Sequence, residues 1–267
     1  ADQLAVVITF DPHPAVYFRR TAPGSLLTTA TERGNLLYAL GVDQVITLHF
    51  DASVANLSPV EFMSEMKDHL GISRLLAGIN FALGKNRSGD IATLQALGKD
   101  MDIVVEVIPP LKVDDQIVSS SLIRRMLKNQ NLEGANHLLK RPYRLSGEVV
   151  HGEARGARLG FPTANMKIPP ERLIPANGVY VTRALISNQW YKSVTSIGVR
   201  PTFENPLPEP RVEPYILDVK GDFYGQPIQL DFLTFLRPEI KFPDAQSLIE
   251  QIKLDVEKAR EVLSNDE

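Results

Sequence analysis

Residues 150–165 read VHGEARGARLGFPTAN, a stretch that joins a glycine-rich, arginine-bearing loop to a short polar segment. Gly156 and Gly160 lack a side chain, so they let backbone N–H groups approach a phosphate closely. Arg158 lies between them and adds positive charge. These features predict a phosphate-binding loop. The alternative is a surface loop followed by an ordinary strand, because a glycine-rich loop alone is a weak signal.

The end of this stretch carries two polar side chains, Thr163 and Asn165. They are two residues apart, and residues at that spacing on a strand face the same side. Both offer neutral oxygen atoms, which suit a Mg²⁺ ion that is held mainly by phosphate groups. The pair therefore predicts a place for a phosphate-bound Mg²⁺ ion.

Downstream of residue 141 the sequence consists of short apolar stretches separated by turn-rich segments. Short strands at such regular spacing are typical of an antiparallel barrel or sandwich. The predicted strands span residues 143–151, 178–186, 190–197, 212–219 and 228–236. The apolar spacing over residues 244–263 predicts an amphipathic helix at the end.

Upstream of residue 141 strand-like and helix-like stretches alternate, which is typical of an α/β domain with a parallel sheet. The predicted strands span residues 4–10, 42–50, 73–77 and 103–109, and the predicted helices span residues 29–40, 60–70, 91–97, 119–127 and 132–139. We therefore predict two domains, over residues 1–141 and 142–267.

The first predicted strand follows only three residues of sequence. Its continuous apolar run is typical of a strand buried on both faces of a parallel sheet, and such a strand rarely begins a fold. We expect that sequence preceding residue 1 is missing from this chain. The alternative is a natural start.

The composition excludes several classes of protein. The 29 basic and 32 acidic residues give a net charge of −3, which does not predict a nucleic-acid or membrane partner. The chain has no cysteine, which excludes disulfides and thiolate chemistry and fits a cytoplasmic location. No apolar run reaches about 18 residues, so no transmembrane helix is expected. The oligomeric state has no signature in the sequence.

The motif GARLGFPTAN at residues 156–165 resembles the signature of riboflavin kinases, which transfer the γ-phosphate of ATP to the 5′-hydroxyl of riboflavin and form FMN. Residues 196–203, 212–225 and 235–242 resemble further motifs of that family, so the resemblance covers residues 142–267. It implies a Greek-key antiparallel β-barrel with a C-terminal helix. It also implies riboflavin and ATP as substrates and a requirement for Mg²⁺.

The same resemblance implies roles for individual residues. Those that it assigns to the ATP phosphates are Gly156, Arg158, Gly160, Thr163 and Asn165. Thr163 and Asn165 would also ligate Mg²⁺, and Glu213 would be the general base for the riboflavin hydroxyl. Without the motif, Glu213 is better explained as a solvated carboxylate on a strand. Pro214 follows it directly and lacks a backbone N–H, which predicts an edge strand or a bulge at this point.

The first half of the chain resembles the nucleotidyltransferase module of bacterial bifunctional FAD synthetases, which transfers AMP from ATP to FMN and releases diphosphate. The resemblance rests on TFDPHP at residues 9–14, GINFALGKNRSGD at residues 78–90 and SSSLIRR at residues 119–125. It implies a Rossmann-like fold, with FAD as the product. The residues that it assigns to nucleotide binding are His13, Asn80, Ser120, Ser121 and Arg124. The alternatives are a structural loop histidine and a helix capped by serine.

This module departs from the pattern of its family in two ways. The paired-histidine motif HxGH, which contacts ATP phosphates in that family, does not occur in the chain. Asn80 stands where the family usually has Asp, which removes a charge and an acceptor-only group. We therefore expect riboflavin kinase activity with little FAD formation. The rival hypothesis is a non-catalytic flavin-binding or regulatory protein, and a nucleic-acid-binding barrel has little support because no basic stripe is present.

Overall fold

The computed structural model of the chain describes residues 3–22, 24–151, 160–199, 210–219 and 221–264. The chain divides into two compact units. One comprises Ala1–Ala22 and Thr28–Val118, and the other comprises Pro23–Leu27 and Ser119–Glu267. Residues 119–141 thus belong to the second compact unit. The predicted domain boundary at residue 141 separates two functional regions rather than two compact units, and it stays a prediction.

The first unit is an α/β structure, as predicted. Its elements are β1 (Val6–Asp11), α1 (Pro14–Tyr17), α2 (Ala30–Ala39), β2 (Gln44–His49), α3 (Ala52–Asn56), α4 (Pro59–Leu70), β3 (Arg74–Gly78), α5 (Ile91–Asp100), β4 (Val104–Ile108), β5 (Lys112–Val113) and β6 (Gln116–Ile117). Strand β1 pairs in parallel with β2, and β3 pairs in parallel with β4. Strands β5 and β6 form a small antiparallel hairpin.

Strands β1 to β4 are parallel, as predicted, but the prediction that they form one sheet is wrong. In the described residues they form two separate parallel pairs. Both pairs pack on the same core. Met63 of α4 and Leu94 of α5 are fully buried there, and Ile8 of β1 and Leu75 of β3 pack against this cluster. A shared layer of helices therefore joins the two pairs through apolar contacts rather than through a hydrogen-bonded ladder.

The ends of helix α4 follow from local sequence. The Ser58 hydroxyl accepts a hydrogen bond from the backbone N–H of Glu61, and the Glu61 carboxylate accepts one from the backbone N–H of Ser58. The hydrogen bond from the Ser58 backbone N–H, followed by the interaction with the Ser58 side chain, holds the pKa of the Glu61 carboxyl below its usual value. The helix ends at Gly71, whose φ of 60° is in the left-handed region that glycine adopts without strain.

The second unit is all-β with flanking helices. Its elements are α6 (Ser120–Lys128), α7 (Leu132–Leu139), β7 (Tyr143–Val150), β8 (Asn165–Lys167), β9 (Gly178–Ile186), β10 (Gln189–Gly198), β11 (Arg211–Ile216), β12 (Pro227–Arg237) and α8 (Ala245–Ser264). The six strands close into an antiparallel barrel in the order β10-β11-β8-β7-β12-β9. Because β9, β10 and β11 are consecutive neighbours and β12 returns beside β9, the barrel has the predicted Greek-key topology.

Alternating side chains fill the inside of this barrel. Leu145, Leu230 and Phe232 are completely buried, and the ring of Tyr180 packs edge-on against Phe232 with centroids 5.3 Å apart. Burial raises the pKa of Tyr180, so its phenol stays protonated and donates a hydrogen bond to the carbonyl of Ala176. The residues between these inward positions face outward, and the register of the strands decides which outward residues become neighbours.

The segment Pro23–Leu27 belongs to the second unit because backbone and side-chain hydrogen bonds hold it there. Leu26 forms a parallel bridge with Arg172, whose buried guanidinium donates to the Leu26 carbonyl at 2.9 Å. The same guanidinium donates to the Tyr143 hydroxyl and to the carbonyl of Arg144 in β7. Arg172 thus connects a segment from the first part of the chain to the wall of the barrel.

Helix α8 packs on the outside of the barrel and is held by one buried ion pair. Ala259 and Leu263 lie against Val181 of β9 and Val194 of β10. The carboxylate of Asp255, 4% exposed, accepts hydrogen bonds from the guanidinium of Arg237 at the end of β12, the shortest at 2.7 Å. A buried pair of this kind leaves an uncompensated charge when one partner is removed.

We expect Asp255→Asn to lower the free energy of unfolding of the barrel by about 3 kcal/mol, because the largely buried guanidinium of Arg237, 18% exposed, loses its counter-charge. The measurement is urea unfolding followed by the fluorescence of Trp190, the single tryptophan of the chain, which lies on β10. Asp218→Asn is the matched control, since Asp218 pairs with Arg260 on the surface with side chains 65% and 47% exposed. Equal shifts of the unfolding midpoint in the two variants would contradict the assignment.

Candidate active site of the barrel

The carboxylate of Glu213 and the amide of Asn165 lie on neighbouring strands. Val212 of β11 pairs with Met166 of β8 in antiparallel register. One step further along both strands, this register places Asn165 directly opposite Glu213. Antiparallel partners point to the same side of a sheet, with Cβ atoms about 5 Å apart. Met166 and Val212 are buried on the inside of the barrel, so Asn165 and Glu213 face outward.

Thr163 joins the same outward face. It forms an isolated antiparallel bridge with Tyr215, which continues the register of the Asn165–Glu213 pair. Strand β8 begins only at Asn165, yet Thr163 still faces the same side because the pleat alternates through the bridge. The structure therefore brings together the three residues Thr163, Asn165 and Glu213.

The other neighbour of Glu213 is Ser196 of β10, its direct antiparallel partner. All four side chains on this face are half-buried. Within the described residues, no hydrogen bond occupies the side chains of Thr163, Asn165 or Ser196. Half-buried polar groups without a protein partner are available to a ligand, because burial without a hydrogen bond is unfavourable.

Pro214 interrupts the barrel wall beside this face. The backbone N–H of Ala164 donates to the Pro214 carbonyl at 2.9 Å, but Pro214 has no N–H to return the bond. The sequence predicted an edge or a bulge here, and the edge is wrong, because β11 has β8 on one side and β10 on the other. The nitrogen of Pro214 faces β8, and β8 is only three residues long, so few hydrogen bonds join the two strands. The barrel therefore tolerates proline at this position.

Glu239 was missed by sequence reasoning and lies close to this face. It follows the end of β12, and its carboxylate lies against the backbone of Gly198, where any Cβ atom would overlap it. Gly198 pairs with Arg211 of β11, two residues beyond the Ser196–Glu213 pair. A glycine inside a strand indicates that another group approaches the backbone closely. Gly198 was therefore the sequence signal that a side chain, here Glu239, lies against β10 at this point.

The predicted phosphate-binding loop is only partly described. Gly156 and Arg158 lie outside the described residues. Gly160 is exposed and has a φ of 88°, a conformation that favours glycine, so it forms the turn that leads into Phe161. The Phe161 ring packs edge-on against Tyr215, with centroids 5.6 Å apart. This contact fixes the chain immediately before Thr163.

The donor set of the outward face fits a phosphate-bound Mg²⁺ ion. Thr163 and Asn165 supply neutral oxygens, and among the described residues no cluster of three His, Cys, Asp or Glu side chains could hold a metal by itself. Mg²⁺ commonly keeps waters and takes its remaining ligands from one or two protein groups and from substrate phosphates. The residues present therefore suit a metal that arrives with a nucleotide.

The first unit contains a separate cavity of about 410 Å³ beside Asn80. Its lining residues are Ile79, Asn80, Phe81, Ala82, Arg87, Asp90, Ile91 and Ala92. The backbone carbonyl of Asn80 accepts a hydrogen bond from the Arg87 guanidinium at 3.0 Å. Gly84 and Gly89 of the same loop lie so close to the ring of Pro59 that a Cβ atom would clash, so these glycines serve the packing of the loop on α4.

The remaining predicted nucleotide contacts lie in different units. His13 belongs to the first unit, where its Nδ1 accepts a hydrogen bond from the Ala15 backbone N–H at 3.1 Å and caps α1. Ser120 and Ser121 begin α6 in the second unit and are exposed, and Arg124 donates from Nε to the Ser25 carbonyl at 2.7 Å. The hydroxyl that caps α6 is that of Ser119, as the alternative reading expected.

In the part of the chain that the structure describes, no helix has both the length and the apolar character that crossing a membrane requires.

Two family models match the chain in the order of its two units. The model for FAD synthetase matches residues 1–122, and the model for riboflavin kinase matches residues 139–263. A crystal structure described as a macrolide-efflux protein from Streptococcus pneumoniae superposes with a TM-score of 0.84 and 30% identity, and the match covers 96% of this chain and 83% of that one.

Curated relatives carry both catalytic names. The bifunctional riboflavin kinase/FMN adenylyltransferase of Bacillus subtilis is 34% identical over 97% of this chain and 82% of that protein. The protein of the same name from Haemophilus influenzae is 35% identical over 97% of this chain and 85% of that protein. By this identity, by its coverage and by the two matched models, the chain belongs to the family of bifunctional riboflavin kinase/FMN adenylyltransferases.

Proposed function

We propose that the barrel of this chain transfers the γ-phosphoryl group of ATP to the 5′-hydroxyl of riboflavin, giving FMN and ADP. The observation that carries this proposal is the common outward face of Thr163, Asn165 and Glu213, which the strand register brings together. The riboflavin kinase model, which matches residues 139–263, supports the same activity. None of the comparisons supports the non-catalytic alternative.

Glu213 is the proposed general base. As the new bond forms between the 5′-oxygen and the γ-phosphorus, the bond from phosphorus to the leaving oxygen of ADP breaks, and the hydroxyl proton passes to the Glu213 carboxylate. Glu213 lies on β11, which has β8 on one side and β10 on the other. A phosphate donor bound at Asn165 of β8 therefore lies beside the Glu213 carboxylate. Phosphoryl transfer needs little covalent chemistry from the protein, and a residue that orients the hydroxyl is one of its recurring parts.

Thr163 and Asn165 are the proposed contacts to the phosphates and to Mg²⁺. Mg²⁺, when bound, neutralises negative charge on the phosphate oxygens. Asn165 at the start of β8 and Thr163 just before it orient the phosphates of ATP, and Gly160 shapes the turn that precedes them. Gly156 and Arg158 stay predicted phosphate contacts.

For the first unit we propose a nucleotidyltransferase domain whose reaction would be adenylylation of FMN to FAD. The support is the match of the FAD synthetase model over residues 1–122. His13, Asn80, Ser120, Ser121 and Arg124 stay predicted contacts for this reaction. A cytoplasmic location, without a nucleic-acid or membrane partner, likewise stays a prediction from the composition of the chain.

The purified chain should convert riboflavin to FMN in the presence of ATP and Mg²⁺, and Glu213→Gln should lower kcat by about 10²- to 10³-fold, the usual contribution of a general base. Chromatographic separation of riboflavin and FMN measures both rates. Glu148→Gln is the matched control, because Glu148 is an exposed carboxylate on the same barrel, opposite Lys167. An unchanged kcat in Glu213→Gln would exclude Glu213 as the base.

Thr163→Val should raise KM for MgATP by about tenfold and change KM for riboflavin by less than about twofold, because the lost hydroxyl contacts only the donor substrate. Initial rates with each substrate varied in turn give the two constants. Valine keeps the shape of threonine, so the barrel wall is preserved. A parallel rise of both KM values would place Thr163 outside the phosphate subsite.

With riboflavin, ATP and Mg²⁺ supplied together, FMN should accumulate and FAD should form at least about 10²-fold more slowly, since the chain lacks the HxGH motif that contacts phosphates. The same chromatographic run resolves FAD. FAD formed at a rate close to that of FMN would show that other residues of the chain bind the ATP phosphates for adenylyl transfer.

A further inference from the structure

Ser196 has no assigned role, yet it is the direct partner of the proposed base. On β10 it pairs with Glu213 of β11 on one side and with Val179 of β9 on the other. Its side chain is half-buried, and within the described residues its hydroxyl makes no hydrogen bond. Val179 is buried and apolar, so the polar surroundings of the Ser196 hydroxyl lie toward Glu213.

The strand order arranges three polar side chains in a row. Asn165, Glu213 and Ser196 occupy successive strands of the barrel wall and face outward together. Neighbouring strands are about 4.8 Å apart, so Glu213 has one polar neighbour at that spacing on each side. The row therefore has a donor-side end at Asn165 and an opposite end at Ser196.

This order restricts where the acceptor substrate can lie. In phosphoryl transfer the attacking and leaving oxygens are roughly in line with phosphorus, so the acceptor extends away from the phosphate donor. If Asn165 binds the donor and Glu213 takes the proton of the attacking hydroxyl, the rest of the acceptor lies on the β10 side of Glu213. Ser196 is the next side chain in that direction.

We propose that the Ser196 hydroxyl binds the 4′-hydroxyl of riboflavin, and that Ser196 and Glu213 together hold the terminal vicinal diol of the ribityl chain. The proposal rests on the proposed kinase function. A serine hydroxyl both donates and accepts, as does each hydroxyl of a diol, so the pair is chemically matched. Two vicinal oxygens also fit the spacing of adjacent cross-strand side chains. Ser196 is thus a specificity-determining residue for a polyol acceptor.

A second carboxylate close to this face offers a competing contact. Glu239 lies against Gly198, two residues along β10 from Ser196. A diol hydroxyl could donate to this carboxylate as well as to serine. Substitutions of both residues, Ser196→Ala and Glu239→Gln, are therefore needed to show which of the two side chains binds the 4′-hydroxyl.

Ser196→Ala should lower kcat/KM for riboflavin by about tenfold, the loss expected for one hydrogen bond between neutral groups, and leave KM for MgATP within about twofold. Ser196→Thr, which keeps a hydroxyl, should restore kcat/KM to within about threefold of the unsubstituted chain. Ser146→Ala is the matched control, because Ser146 is a half-buried, outward-facing serine on β7 opposite Gln229. It should leave both constants unchanged.

An analogue of riboflavin that lacks the 4′-hydroxyl distinguishes direct binding by Ser196 from a purely structural role of this residue. The unsubstituted chain should lose about tenfold in kcat/KM when this analogue replaces riboflavin, whereas Ser196→Ala should lose less than about twofold, since its partner is already absent. Equal losses in the two proteins would overturn the proposal. A loss that disappears in Glu239→Gln instead would assign the 4′-hydroxyl to Glu239 and also overturn it.

The outcomes separate this inference from the function on which it rests. If the unsubstituted chain phosphorylates riboflavin and Ser196→Ala does so equally well, the kinase function stands and the role of Ser196 is refuted. If the unsubstituted chain forms no FMN, the proposed function itself fails, and the role of Ser196 fails with it. Urea unfolding followed by Trp190 fluorescence confirms that each variant is folded.

Discussion

The antiparallel register of β11 between β8 and β10 is the constraint on which the candidate site depends. A slip of one residue would turn Glu213 into the barrel and bring the buried Val212 to the outside. The register is fixed by what the inward positions require, since Met166, Val212 and Ile197 are buried and apolar. The positions of the polar residues therefore follow from the packing of the apolar ones between them.

Two arginine side chains with several hydrogen bonds each hold the frame around the site. Arg237 is bonded to Asp255, and the buried guanidinium of Arg172 is bonded to backbone and phenolic oxygens. The outward face of β8, β11 and β10 differs, because the described hydrogen bonds do not include the side chains of Thr163, Asn165 and Ser196. The side chains of Thr163, Asn165 and Ser196 thus keep hydrogen-bonding groups available for a substrate, which is the arrangement expected of a preorganised site.

The sequence predicted long elements well and short ones poorly. Helix α4, with its capping serine and final glycine, and the barrel strands occur where the apolar periodicity placed them. The short elements β5 and β6 were missed, because two residues carry no measurable period. The pairing between strands could not be predicted from the sequence either. The structure shows that the first unit contains two parallel pairs of strands and that Ser196 is the neighbour of Glu213. The motifs identified Thr163, Asn165 and Glu213, but only the register shows that they share a face.

The two halves of the chain differ in what their structure adds to the resemblance. In the barrel, residues that the motif assigns to one reaction lie on neighbouring strands and face one side. In the first half, His13 and Asn80 belong to one compact unit and Ser120, Ser121 and Arg124 to the other. His13 caps a helix through Nδ1, and Arg124 donates to the backbone carbonyl of Ser25, so hydrogen bonds within the fold account for both side chains without a nucleotide. The kinase assignment therefore rests on geometry as well as on sequence, whereas the adenylyltransferase assignment rests on sequence and on a cavity beside Asn80.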